Sequence, residues 1–145
     1  MEIYTIGFTQ TTAEHFFGRL AAARVGRLLD VRLNNSSQLA GFAKSKDLPY
    51  FLRELVGATY EHDARLAPTQ QLLDSYKKQK GAWAEYEAQF LELMAERHIE
   101  DALTRSDFDT PTALLCSEAG SEQCHRRLVC DYLAAHWPDV HVVHL

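Results

Sequence analysis

Apolar and polar positions along this chain follow two periods, one near two residues and one near 3.6, and the periods take turns. Glu2–Ile6 reads as a first strand, after which Gly7 permits a tight turn. Thr11, with Glu14 three residues on, resembles a capping box. It would open a helix over about Thr12–Ala23, with Phe16, Phe17 and Leu20 at core spacing. Arg27–Val31 (RLLDV) is a second strand, apolar enough to be central. A long polar connection then runs from Arg32 to Lys46, through Asn34-Asn35-Ser36-Ser37 and Gly41, and connections of that length are usually functional or mobile. Asp47 can cap a helix to Val56, with Gly57 as its stop. Ala58–His62 makes a short strand, and Thr69 caps a helix ending near Gln79. Gly81 breaks the chain before a long amphipathic helix, about Ala82–Leu103, with Trp83, Tyr86, Phe90, Leu93 and Met94 on one stripe. A strand at Ala113–Cys116, a helix at Glu122–His136 and a strand at Val140–Leu145 complete the order.

Strands alternating with helices imply right-handed crossovers. The expected fold is α/β: one domain over 1–145, a mainly parallel open sheet of about five strands, and helices on both faces in a Rossmann-like three-layer arrangement. The 145 residues suit one ordinary core, and 46% hydrophobic and 24% charged residues are near the globular average. No internal repeat or linker divides the chain. The apolar runs are too short to span a bilayer, no signal peptide is visible, and three cysteines form no disulfide scaffold. A reducing cytoplasm is the expected location. A net charge of −5 and a pI near 5.8 argue against a basic coat for non-specific duplex binding, while leaving room for a local basic pocket.

Chemistry concentrates in Thr112–Arg127, TALLCSEAGSEQCHRR, where two thiols, an imidazole, the Glu118 carboxylate and two guanidiniums crowd one strand-to-helix junction. In open α/β sheets, ligands bind outside the carboxyl ends of the strands. The second strand ends in Asp30-Val31-Arg32, whose alternation sends Asp30 and Arg32 to one side. The first ends in Gly7-Phe8-Thr9. If these three strands are neighbours, Thr9, Asp30, Arg32, Cys116 and Glu118 share a crevice. The plainer alternative is an internal Asp30–Arg32 or Glu118–Arg126 salt bridge. In the last helix, Leu128, Val129, Tyr132 and Leu133 form the buried stripe. His125 falls within it, Cys124 and Arg126 on its shoulders, and Arg127 outside it, within i,i+4 reach of Asp131. Cations in a first turn are disfavoured by roughly 0.3–1 kcal/mol each unless an anion lies nearby. Free N–H groups at the helix start would add to anion affinity.

The catalytic candidates are therefore Cys116, Glu118, Cys124 and His125, and the substrate-binding candidates Gly7, Thr9, Asp30, Arg32, Arg126 and Arg127. Cys124 in a first turn would have its thiolate stabilised by the helix dipole and the arginines. Cys116 has the weaker case, and Cys130 is given no role. A phosphatase loop fails, because six residues beyond Cys116 stands Glu122 rather than an arginine. Cys116, Cys124 and His125 are conceivable zinc ligands, but their spacing is unlike a compact knuckle and no CxxC is present, so no metal is assigned. No cofactor is expected either, since there is no GxGxxG and no Walker loop.

Thr5-Ile6-Gly7 at the first strand, Asp30-Val31-Arg32 at the second, and Cys116-Ser117-Glu118 followed by Cys124-His125-Arg126-Arg127 resemble the domain-of-unknown-function family 488. The likeness covers essentially the whole chain, including the terminal HVVHL. It implies a compact bacterial or archaeal α/β domain, with signature positions at Gly7, Asp30, Arg32, Cys116, Glu118, Cys124, His125, Arg126 and Arg127. Many members carry a histidine after TIG where this chain has Phe8, so chemistry that used it would not carry over. His62 is a substitute that could reach the crevice.

Three functions compete. The favoured one is an enzyme acting on a small anionic substrate, such as a nucleotide or a nucleic-acid end, with its reaction class open. Arg32 and Arg126 would hold the anion, Glu118 or His125 would move a proton, and Cys124 would be a nucleophile or positioning group. A thiol redox protein would use Cys116 and Cys124. A nucleic-acid-binding or regulatory module, the more weakly supported partner class, would use Lys77-Lys78-Gln79-Lys80 and Trp83. No membrane partner is expected, and the oligomeric state is open.

Overall fold

A computed structural model describes residues 1–35, 41–117 and 124–145. Its centre is one five-stranded sheet built from β1 (Glu2–Gly7), β2 (Arg27–Asp30), β3 (Thr59–His62), β4 (Thr112–Cys116) and β5 (His141–His144), in the order β3-β2-β4-β1-β5. Every neighbouring pair is parallel. The helices are α1 (Ala13–Ala22), α2 (Leu48–Leu55), α3 (Gln70–Lys77), α4 (Trp83–Glu96), α5 (Ile99–Ala102) and α6 (His125–His136). No helix among the described residues is long and apolar enough to cross a membrane.

Two cores, one on each face, make this α/β sheet a three-layer structure. Phe16, Phe17 and Leu20 of α1 and Leu48 and Leu52 of α2 pack on Ile6, Leu28, Ala113 and Leu115. Phe90 and Met94 of α4 and Leu128, Val129 and Leu133 of α6 pack on Ile3, Leu29, Leu114 and Cys116. Adjacent residues such as Leu28 and Leu29 serve opposite cores because strand side chains alternate. A strand covered on both sides is apolar in its middle, which is why Leu28-Leu29 in β2 and Ala113-Leu114-Leu115 in β4 read as unbroken apolar runs, with polar residues confined to the strand ends.

Several boundaries differ from the sequence reading. Thr12, not Thr11, caps α1, its hydroxyl accepting the His15 N–H at 3.1 Å. The third helical residue is then His15, so Glu14 closes no capping box. Asp47 precedes α2 but makes no side-chain cap bond, whereas Thr69 caps α3 through the Leu72 N–H as expected. The long helix expected to reach Leu103 breaks in two. His98 adopts a left-handed conformation (φ 50, ψ 50), and α5 starts after it. Arg97 anchors the break by donating to the carbonyls of Arg65 and Ala67, and the turn lets Ile99 bury completely.

The connections fix where a crevice opens. From β2 the chain leaves through α2 toward the β3 edge, and from β4 it leaves through α6 toward the β5 edge. These helices lie on opposite faces. The exits of two adjacent strands therefore diverge at their carboxyl ends, the place where open α/β sheets leave a crevice.

Candidate functional site

The ends of β1, β4 and β2 lie side by side. Gly7 stands opposite Cys116 and Asp30 opposite Leu115. Beyond the strands, Thr9 N–H donates to the Ser117 carbonyl and Val31 N–H to the Leu115 carbonyl, both at 3.1 Å. The three neighbouring strand ends that the sequence argument required are present.

Asp30 and Arg32 bind each other. Asp30 Oδ1 accepts from Arg32 N–H at 3.1 Å and Nε at 2.9 Å, and Oδ2 accepts from Arg32 Nη2 at 2.8 Å and the Tyr60 hydroxyl at 2.6 Å. The turn this makes ends β2 at Asp30. Arg32 Nη2 also reaches the Ala43 carbonyl at 2.7 Å, and the guanidinium lies 5.1 Å from the centre of the Phe8 ring. Both partners are sealed, with side-chain exposures of 0% and 3%. Burial and the hydrogen bond to Asp30 push the Tyr60 phenol well above its usual pKa. Phe8 is thus a core ring beneath the cation, and His62 donates from Nε2 to the Arg32 carbonyl at 2.8 Å, which pins the start of the connection that follows.

On the α6 side, Cys116, Cys124 and His125 come together, with their Sγ and ring-nitrogen atoms all within 4.8 Å of one another. Cys116 Sγ lies 3.5 Å from His125 Nδ1. His125 Nε2 lies 2.6 Å from the Val31 carbonyl. A carbonyl only accepts, so Nε2 carries a proton, and in the neutral ring Nδ1 is the nitrogen that faces the thiols with its lone pair. Phe90 packs against the imidazole with ring centres 5.6 Å apart. All three residues are buried, and no disulfide joins the cysteines.

Cys124 stands in extended backbone (φ −137, ψ 139) just before α6, not in its first turn. The expectation of a stabilised thiolate is overturned with it. Burial pushes the Cys124 thiol up and Cys116 adds to the rise, outweighing the downward pull of His125. Desolvation defeats the helix dipole at this position.

Above these groups opens a cavity of about 170 Å³. Cys116, Ser117, Cys124 and His125 form part of its lining, together with Arg32, Leu33 and Asn34 after β2, Pro68, Leu73, Tyr76 and Lys77 from the α3 region, and Trp83 and Tyr86 of α4. The aromatic side is continuous. Trp83 stacks on Tyr86 at 5.3 Å, and Tyr76 meets both rings at 5.5 and 5.0 Å. Lys77 lies 5.5 Å from the centre of the Tyr76 ring.

Of the sequence candidates, Arg32, Cys116, Cys124 and His125 share this lining. Gly7 and Thr9 sit next to it without lining it, and Asp30 is behind Arg32. Arg126 is buried (1% exposed), and its charge adds to burial in lowering the pKa of Arg19, which itself donates to the Gly7 carbonyl. Arg127 points outward, pairing with Glu87 at 3.1 Å and with Asp131 at 3.6 Å. Glu118 and the expected helix start at Glu122 lie outside the described residues. The sequence reading assigns Lys77 and Trp83 to a nucleic-acid surface and Tyr76 and Tyr86 to no site at all. The cavity collects all four. The run Lys77-Lys78-Gln79-Lys80 before Trp83 is a visible signal for two of them, whereas Tyr86 looks like any core residue on a helix stripe.

No curated protein and no solved structure matches the chain. One family does match, over residues 12–133, under the description Domain of unknown function DUF488. That span takes in β2, β4, the first turns of α6 and every residue of the cavity lining. The chain belongs to the family Domain of unknown function DUF488.

Proposed function

We propose that the protein is an enzyme acting on a small anionic substrate that carries a flat, unsaturated group, and that the strand-end cavity is its active site. One observation carries the reading: thiols, an imidazole, a cation and an aromatic wall, brought from separate stretches of chain, line a single concavity. A void of about 170 Å³ matches one ring or a short carboxylic acid, since an engineered cavity of about 150 Å³ takes benzene. The ring would lie against Tyr76, Trp83 and Tyr86. The negative group would meet Lys77, whose side chain belongs to the cavity lining, while the Arg32 guanidinium is forked onto Asp30 and supports the wall as half of a neutral pair. Cys116, Cys124 and His125 would act on the bound group, with Glu118 a further candidate. Burial of the thiols speaks against fast thiol exchange, so the redox reading is the weaker one. A nucleic-acid module is weaker too, with Lys77 and Trp83 turned to the cavity lining.

The test is a binding screen of small ring-bearing anions, such as nucleoside monophosphates and aromatic carboxylates, each against its neutral counterpart. Lys77→Ala should weaken the anion about tenfold and leave the neutral compound unchanged, the scale of one charge-assisted hydrogen bond. His125→Gln should stop turnover of the identified substrate while keeping it bound. A ligand whose affinity ignores Lys77 and Trp83, or turnover that survives His125→Gln, would remove this reading.

A further inference from the structure

We propose that Cys116, Cys124 and His125 bind one divalent metal ion of the zinc class, with a fourth coordination position open to the cavity. Zinc bonds of about 2.3 Å to sulfur and about 2.0–2.1 Å to nitrogen, at a tetrahedral angle, place the two donor atoms roughly 3.5–3.6 Å apart. Cys116 Sγ and His125 Nδ1 are 3.5 Å apart, and the Cys124 donor lies within the same 4.8 Å cluster. The sequence spacing argues against a zinc knuckle, but a strand end and the following helix start meet without one. The ring orientation also fits. A metal-binding histidine donates its other nitrogen to a carbonyl or carboxylate, and His125 Nε2 sits 2.6 Å from the Val31 carbonyl, leaving Nδ1 for the ion.

The donor set selects the ion. Two sulfurs and an imidazole favour zinc and its borderline neighbours over magnesium or calcium, which take oxygen ligands. Three protein donors with a cavity above them are the pattern of a catalytic site, whereas structural zinc is closed by four. Among the described residues no fourth donor joins the cluster. The open position would accept water or an anionic oxygen of the substrate. This inference deepens the enzymatic reading and rests on the same cavity, yet it is measured without substrate. Its failure would leave anion capture by Lys77 standing, and a failed ligand screen would leave metal binding standing.

The experiment is titration of the 145-residue chain, stripped of metal by chelation and kept reduced, with cobalt(II) and then zinc(II). One equivalent of cobalt should give thiolate charge-transfer absorption in the near ultraviolet and the visible bands of a four-coordinate ion, both abolished by one equivalent of zinc. Cys124→Ser and His125→Ala should weaken binding by more than the roughly 10–100-fold that losing an outer partner costs. Cys130→Ser, a buried thiol outside the cluster, should bind as the parent does. Should the first two variants misfold by circular dichroism, His125→Cys supplies a replacement donor and should hold cobalt with stronger thiolate absorption. Absence of binding by the parent at micromolar metal would overturn the proposal. So would cobalt bands that persist in Cys124→Ser.

Discussion

Replacing Asp30 with alanine tests how tightly the strand-end crevice is sealed. The carboxylate accepts four hydrogen bonds, three from Arg32 and one from Tyr60, and is fully buried. Its loss strands a guanidinium that is 3% exposed, and breaking a buried pair from one side costs about 3–5 kcal/mol. The Tyr60 hydroxyl would lose its acceptor for about 1 kcal/mol more. For 145 residues the unfolding entropy is about 0.3 kcal/mol per degree, so a total loss of about 4–6 kcal/mol should lower Tm by about 13–20 °C. Urea unfolding followed by circular dichroism and tryptophan fluorescence reads the same quantity. Adding Arg32→Met removes both charges and should recover most of the loss, because the penalty lies in the uncompensated charge rather than in the missing attraction. Added salt should not change the single variant's deficit, as buried charges are poorly screened. A loss below about 1 kcal/mol, or a double variant as unstable as the sum of the singles, would show that water reaches the pair and refute this account.

Three further outcomes follow from local geometry. Asp63 is held by Arg65 through Nε at 2.9 Å and Nη2 at 2.7 Å. Burial pushes its carboxyl up, but the Arg65 bonds outweigh that and leave it below the usual range. A depressed folded pKa adds stability above the unfolded value of about 3.9 and loses it as pH falls through the folded one. Asp63→Asn should therefore cost about 1 kcal/mol at pH 7, modest because Arg65 is half exposed, and melts repeated toward pH 3 should show the gap closing. Gly57 has φ +75 with open space where a Cβ would stand, so Gly57→Ala meets only backbone strain, about 1–2 kcal/mol in chemical denaturation. Phe90→Ala should cost about 3–5 kcal/mol, since the ring is fully buried against Tyr86 and His125, and calorimetry would read it.

The layers were legible in the sequence because both faces of the sheet are covered, and a doubly buried strand has no polar register to confuse it. β2 and β4 announced themselves as RLLD and TALLC. The break at His98 was not legible, because Ile99 and Leu103 continue the apolar rhythm of α4 and only tertiary bonds from Arg97 stop the helix. At the site, helix periodicity places His125, and its contact with the sheet follows. The Cys124 reading fails for a physical reason. Pattern alone assigns it to a helical turn, whereas its backbone is extended and its thiol desolvated. Asp30 and Arg32 could be seen as a pair, but choosing between a ligand clamp and an internal brace required Tyr60 and the Ala43 carbonyl, which arrive from distant segments.

The floor and the wall of the cavity come from the chain in different ways, and that separation constrains how the site can vary. Cys116 and His125 are only nine positions apart and are held by one strand end, one helix start and the Val31 carbonyl. The wall from Pro68 to Tyr86 belongs to α3, the turn before it and α4, and among the described residues α4 meets α6 through side chains, including the Arg127–Glu87 pair and the Phe90–His125 contact. Contacts of the second kind can change without disturbing the first. Trp83→Ala should therefore weaken ring-bearing ligands while leaving a metal held by Cys116, Cys124 and His125 at unchanged affinity. Phe90→Leu, which touches the His125 ring from behind, should do the reverse. Measured together by ligand titration and cobalt spectroscopy, the two variants separate recognition from reactivity. Equal effects of both on both readouts would mean that wall and floor form one cooperative unit, and that the division drawn from their chain positions is wrong.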